Sequence, residues 1–181
     1  MINIISNAFG HFITITRHRH KVISHCRRAG IFMQGLRHDL SKYSPTEFIP
    51  GIIYFTGTKS PNEAERNKKG YSTAWLHHKG RNKHHFEYWT DYNPSEKRVT
   101  PIKMPVNYVV EMFCDRVAAS KIYLGKEYND SHPYEYFQKG KKNRFIDPET
   151  SEMIEGLLLM LKEKGEDETF SYIRSIVKKR F

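Results

Sequence analysis

The 181-residue chain carries ten histidines, and their placement says more than their number. His38 and Asp39 are adjacent and are followed by Lys42. A second concentration runs from Trp75 to Trp89 and holds the doublets His77-His78 and His84-His85, with Arg81 and Asn82 between them. Glu111 and Asp115 lie one helical turn apart inside the most hydrophobic stretch of the chain. Imidazole nitrogens and carboxylate oxygens are the donors that suit divalent zinc, manganese, iron and cobalt, and carboxylates also take magnesium. His18 sits between Ile15 and Val22 on an apolar helical stripe. Asp115 shares a face with Tyr108, Met112, Ala118, Ala119 and Ile122, where an ionised carboxylate is costly unless a metal or another cation compensates it. Convergence is what favours one or two bound divalent ions over separate polar residues. A solitary histidine near an apolar stripe is more often a hydrogen-bonded core residue, and His11, His20, His25 and His132 are assigned that way.

Several elements must converge to bring these residues together. Apolar spacing predicts one helix over the first thirty residues, ended by Gly30. A second helix is expected from Met33 to about Lys42. Ser44-Pro45-Thr46-Glu47 reads as the start of a third, with Ser44 as cap, Pro45 in the first turn and Glu47 in the capping-box place. Residues 56–69 read as a polar loop. A helix is expected from about Tyr71 to Trp89, with a break near Gly80; if it is continuous, His77 and His84, or His78 and His85, share a face. Pro94, Pro101 and Pro105 mark a loop over 90–105. Pro105 then opens a helix to about Leu124, residues 126–146 read as irregular, and two more helices run from about Pro148 to Lys164 and from Glu166 to Lys179. There is no internal repeat and no convincing strand pair. The expectation is an all-α bundle of about six to eight helices, a single domain over 1–181, with the site built from inward faces of several helices.

Composition bounds the function. The formal charge of +10 permits phosphate-bearing partners but does not select one, because the excess is scattered over Arg17 to Lys21, Arg27-Arg28, Lys68-Lys69, Lys139 to Arg144 and Lys178 to Arg180. Two distant cysteines, Cys26 and Cys114, form neither a disulfide framework nor a cysteine-rich zinc site. No apolar run is long enough to span a membrane. The start Met1-Ile2-Asn3 lacks the basic and long apolar regions of a signal peptide, so a reduced, cytoplasmic setting is expected and no membrane partner. A phosphate-cradling G-x-x-x-x-G-K-[ST] loop is absent, as is a serine or cysteine in a convincing nucleophile setting.

The order His18, His38-Asp39, His77/His78, His84/His85, Asp115 resembles the HD-domain metal-dependent phosphohydrolases. Closer still is the likeness to an uncharacterised family of bacterial and phage proteins, carried by Ala74-Trp75-Leu76-His77-His78, Asn82-Lys83-His84-His85, Tyr88-Trp89, Met104-Pro105 and Glu111-Met112 with Asp115, over most of residues 9 to 160. The resemblance implies an HD-like helical fold in which His18, His38, Asp39 and Asp115 hold one ion. Asp39 would bridge to a second ion that takes one histidine from each doublet, with His78 and His84 favoured. Lys42 would face substrate phosphate, and Asp39 and Lys42 would take part in catalysis. Glu111, one turn before Asp115, is a candidate for orienting a ligand histidine or protonating a leaving group; Arg81 and Asn82 are candidates for touching substrate. No Gly-Tyr-Pro motif follows the histidines, which argues against a cyclic-di-GMP phosphodiesterase of that type. The implied activity is hydrolysis of a phosphate ester, with a nucleotide or cyclic nucleotide as the first substrate class. The same superfamily includes two-iron oxygenases. A non-enzymatic nucleic-acid-binding or interaction protein is the remaining class, carried by the aromatic and basic stretch from Tyr134 to Phe145, where aromatics can stack on bases.

Overall fold

In a computed structural model, residues 3–179 are described; Met1 and Ile2, and Arg180 of the last basic cluster, lie outside them. Three long helices carry the core. Helix α1 (Ile4–Ala29) starts at Asn3, whose side chain accepts from the Ser6 amide. It stops at Gly30, where φ is 86°, a left-handed value that a Cβ disfavours. Its inward face presents Ile15, Val22, Cys26 and Ala29, and also His11, His18 and His25. Across it lies α6 (Val106–Leu124), buried on more than one side through Val109, Val110, Met112, Phe113, Cys114, Val117 and Ala118. A helix so enclosed needs no clean polar stripe. The last helix, α8 (Pro148–Lys178), is capped by Asp147, which accepts from the Thr150 amide, and bends at Gly165 (φ 75°, ψ −179°). Its Ile154, Leu157, Leu158 and Leu161 precede the bend and Phe170, Ile173 and Val177 follow it, all in one apolar cluster with α1 and α6. Burial of each such side chain contributes about 1.5–3 kcal/mol.

Shorter elements gather at one side of this frame: α2 (Phe32–Arg37), α3 (Pro45–Ile53), α4 (Pro61–Lys69), α5 (Thr73–Lys79) and, beside α6 and α8, α7 (His132–Gly140). Among the described residues, eight α-helices with one small sheet make an all-α fold, as expected. No helix of the described residues is long and apolar enough to cross a membrane.

Four local expectations are corrected. The helix expected from Met33 to Lys42 ends at Arg37: His38 is extended and Asp39 is left-handed (φ 54°, ψ 25°) before a 3-10 turn over Leu40–Tyr43. The helix expected over 71–89 breaks at Gly80 as anticipated but resumes only as a 3-10 turn over Phe86–Tyr88, and Asn82 ties the chain between by donating to the His78 carbonyl (2.8 Å) and the Ser41 hydroxyl (2.8 Å). The stretches read as loop or irregular contain α4 and α7. Helix α4 has proline at its start, Glu63 in its first turn and Arg66, Lys68 and Lys69 in its last, all favourable to the helix dipole. It lacks an apolar stripe because its one buried residue is Glu65, which accepts from Ser72 and Thr73 (2.7 Å each). Finally, strands β1 (Thr90–Asn93) and β2 (Arg98–Pro101) form an antiparallel hairpin in the register Thr90↔Pro101 to Asn93↔Arg98. It is too short and too exposed to show an alternating pattern.

Candidate metal centre

The break after Arg37 is what builds the site. On a continuous helix, adjacent side chains diverge by about 100° and cannot share a centre. The left-handed turn at Asp39 costs about 1 kcal/mol or more for a residue with a Cβ, a cost that aspartate bears better than most. It lets His38 and Asp39 face the same point. His38 Nε2 lies 3.2 Å from Asp39 Oδ2, and both residues are buried.

Two sets of ligand atoms meet there, each set within 4.8 Å. The first is His18, His38, Asp39 and Asp115; the second is Asp39, His78, His84 and His85. Asp39 belongs to both. Its Oδ2 faces His38 and His18 (3.8 Å), and its Oδ1 faces His78 (3.3 Å) and His84 (3.5 Å). Asp115 Oδ1 is 2.9 Å from His18 Nε2 and 3.5 Å from His38 Nε2. A third grouping, His38, His84 and Glu111, lies alongside.

The unused nitrogens show how the rings are held. His38 Nδ1 bonds Glu111 Oε1 at 2.9 Å, and His78 Nδ1 bonds Glu47 Oε2 at 2.7 Å, so each carboxylate is placed to accept the proton of one ring nitrogen and to turn Nε2 toward the centre. Glu111 is held in turn by Gln34, which also accepts from Asn107 (2.9 Å). Burial opposes charge on Glu111, but hydrogen bonds from His38 and His84 outweigh it and hold the carboxyl at about 2. Burial likewise opposes charge on Asp39, and His38 and Lys42 beside it still hold it well below the usual carboxylate range. Lys42 Nζ is 2.6 Å from Asp39 Oδ2, and that neighbour raises its pKa against the effect of burial. His85 is kept neutral by burial and by His84 and His78 beside it.

Buried polar atoms are normally hydrogen-bonded. Here six of the nine buried side-chain polar atoms without a hydrogen-bond partner, among the described residues, belong to these sets: His18 Nε2, His38 Nε2, both oxygens of Asp39, His84 Nε2 and His85 Nε2. The imidazole rings are also crowded, with centroids 4.0 Å apart for His84 and His85 and 4.4 Å for His38 and His84. Unsatisfied nitrogen and carboxylate donors aimed at a shared point fit divalent cations of the zinc, manganese, iron or cobalt kind.

The structure therefore brings together His18, His38, Asp39, His78, His84, His85, Asp115, Glu111 and Lys42. It leaves out His77, whose Nδ1 donates to Glu47 Oε1 (2.7 Å) and which belongs to neither set. Arg81 is exposed, and Asn82 is spent on Ser41 and the His78 carbonyl. Glu47 was legible only as a capping-box residue; its carboxylate instead holds both His77 and His78. Ser41 and Gln34 carried no signal of their own. Of the four histidines set aside, His11 and His25 are buried, His25 against the Cys114 carbonyl (3.2 Å), and His20 is exposed. In the stretch from Tyr134 to Phe145, Phe137 is wholly buried and Tyr134 packs against the core, while Tyr136 and Phe145 are exposed. Lys141 pairs with Glu155 (2.6 Å).

A family model described as a family of unknown function, DUF5662, matches residues 7–160. No curated protein and no solved structure matches the chain.

Proposed function

The chain belongs to this family of unknown function, so its activity has to be argued from its site, and we propose that it is a metal-dependent hydrolase of phosphate esters resembling the HD-domain phosphohydrolases. One observation carries the reading: buried Asp39, whose Oδ1 finds no hydrogen bond and whose Oδ2 meets the Lys42 ammonium, belongs to both of two converging sets of nitrogen and carboxylate donors. That is the arrangement a two-ion phosphoesterase requires. Divalent ions held there would acidify a water at neutral pH and offset charge on the phosphoryl oxygens.

The chain's own residues do the rest. Asp39 would serve both ligand sets, with His18, His38 and Asp115 holding one ion and His78, His84 and His85 the other. Glu111 and Glu47 fix the tautomers of His38 and His78, so that lone pairs and not N–H groups face inward. The Lys42 ammonium, partly exposed beside Asp39, offers a cation to an incoming phosphate. Glu111 is a positioning residue and not a general acid: a carboxyl held at about 2 and committed to His38 and Gln34 has no proton to give at neutral pH.

The test is metal content per chain by mass spectrometry on untagged protein, beside Asp39→Asn, followed by a screen of phosphate esters. The expected result is one or two divalent ions in the parent, near none in the variant, and turnover that follows the metal. Failure to take up manganese, iron or zinc when offered overturns the reading. A bound iron pair with its own absorption bands and no esterase turnover moves the site to oxygen chemistry.

A further inference from the structure

A cavity of about 70 Å³ lies among α1, α3, α4, α5 and α6, and it shares two walls with the metal centre. Lys42 lines it, with its ammonium 2.6 Å from Asp39 Oδ2. Glu47 lines it too, while its carboxylate holds His77 and His78 at 2.7 Å each. A single side chain, Lys42, therefore stands between the cavity and the aspartate that both ligand sets share.

A further wall is His11, two turns before His18 on the buried face of α1. Its ring packs against Phe48 (5.3 Å between centroids) and Phe55 (5.9 Å), and its Nε2 edge lies so close over Gly51 that a Cβ there would overlap it. Among the described residues neither ring nitrogen makes a hydrogen bond, although a buried imidazole normally finds one, so the hydrogen-bonded core role expected of His11 is not met. Burial and the nearby Lys42 hold its pKa at about 4, and at neutral pH the ring keeps one N–H and one lone pair. A hydroxyl, which accepts one hydrogen bond and donates another, matches that pair. Half-buried Asn62, at the start of α4, adds an amide to the lining. Lys42 and, at the exposed rim, Lys59 are cations, and the one carboxylate, Glu47, is committed to two histidines. Such a lining suits a hydroxylated group that is neutral or anionic, and not an ammonium. Each water-sized group needs about 10–15 Å³, so the space takes roughly five of them, enough for a short polyol and too little for a nucleoside.

We propose that this cavity is the alcohol-side pocket of the metal centre and that the substrate is a phosphate monoester of a short polyol, with Lys42 at the phosphate and His11 and Asn62 on the hydroxyls. Naming it a substrate rests on the hydrolase reading; binding in the cavity does not. In the hydrolysis, a water oxygen bonds to phosphorus as the ester phosphorus–oxygen bond breaks. The bonding pair goes to the alcohol oxygen, which takes up a proton given up by the water, and the products are inorganic phosphate and the free polyol. His11 and Asn62 touch the part of the substrate that does not react, so they select the ester and take no part in breaking the bond. A nucleotide would have to leave its base outside.

The test is calorimetric titration of inorganic phosphate, glycerol 1-phosphate and adenosine 5′-monophosphate into the full chain as purified. Metal content and thermal melting are recorded on the same samples, and turnover of both esters follows. Parent, His11→Phe and Asn62→Ala are compared. His11→Phe keeps a ring between Phe48 and Phe55 and removes both nitrogens; Asn62→Ala acts from a half-buried position on another helix, should His11→Phe fail to fold. The parent should bind glycerol 1-phosphate about fivefold or more tighter than phosphate, and adenosine 5′-monophosphate no tighter than phosphate. Each variant should lose about threefold to tenfold in affinity for glycerol 1-phosphate, keep its phosphate affinity within about twofold and keep its metal. The inference is overturned if the parent shows no preference for glycerol 1-phosphate over phosphate, if it prefers adenosine 5′-monophosphate, or if the folded variants keep the parent's preference. It is also overturned if both variants lose phosphate affinity, metal and melting temperature together, because His11 and Asn62 then only hold the fold. Ester turnover with metal but without the preference sinks the pocket alone. A preference that depends on His11 and Asn62, without turnover, sinks the hydrolase reading alone.

Discussion

Helix α1 presents two buried histidines, seven residues apart, to the same partner helix, and they meet different fates. His25 points its Nδ1 at the carbonyl of Cys114, stacks on Phe170 and is satisfied. His18, two turns earlier, faces the carboxylates of Asp115 and Asp39 with a nitrogen that finds no hydrogen bond. Type, spacing and burial are shared; what differs is the opposing surface of α6 and whether the nitrogen is left wanting. A buried histidine becomes a candidate ligand when its nitrogen converges with other donor atoms on a shared point. Without that convergence it is part of the core.

Four measurements break or sharpen this comparison. The largest effect is expected in His18→Ala, which should empty the first ligand set and lower bound metal per chain at least tenfold, while His25→Ala leaves metal content alone. His25→Ala should instead cost about 2–4 kcal/mol in denaturant unfolding, from the cavity and the stranded Cys114 carbonyl. If the two variants exchange these phenotypes, the division between ligand and core is wrong. Next come Glu47→Gln and Glu111→Gln, which should weaken metal binding about 10–100-fold by releasing the rings of His78 and His38. A competition titration with a chelator reads this directly.

A third effect concerns protons. Burial holds His25 at about 4 in the folded chain against 6.5 when unfolded. The unfolded state therefore binds a proton that the folded state refuses between these values. Stability is full above pH 6.5 and falls as the pH drops toward 4, by up to about 3 kcal/mol from this residue. Unfolding curves of the parent and His25→Gln across that window should converge at low pH, because the variant has no such proton to lose; parallel curves would sink the assignment. The smallest effect is expected at His20, exposed on α1, where alanine should change stability by less than about 0.5 kcal/mol and metal content not at all.

Much of the frame was legible because it is periodic. Helices α1, α6 and α8 follow the 3.6-residue spacing of their apolar residues, and Gly30, Pro105 and Pro148 mark an end of each. Helix α4 escaped because its inward residue is a glutamate, and the hairpin because four-residue exposed strands have no face to pattern. Within the site, His18, His38, Asp39 and Asp115 could be picked out from their neighbours. The roles of Glu47, Gln34 and Ser41 could not, because each acts on a residue that only folding brings near.

By itself the sequence determined the helical class, the long helices and the residue types capable of holding a cation, since periodicity and donor chemistry are local properties. Tertiary structure alone decided which histidines of the two doublets meet Asp39. That choice depends on α5 ending at Gly80, on Asn82 reaching Ser41 across 41 residues of chain, and on Glu47 drawing His77 aside while it orients His78. Contacts over such separations leave no periodic mark, because they are set by where helices pack and not by what repeats along them.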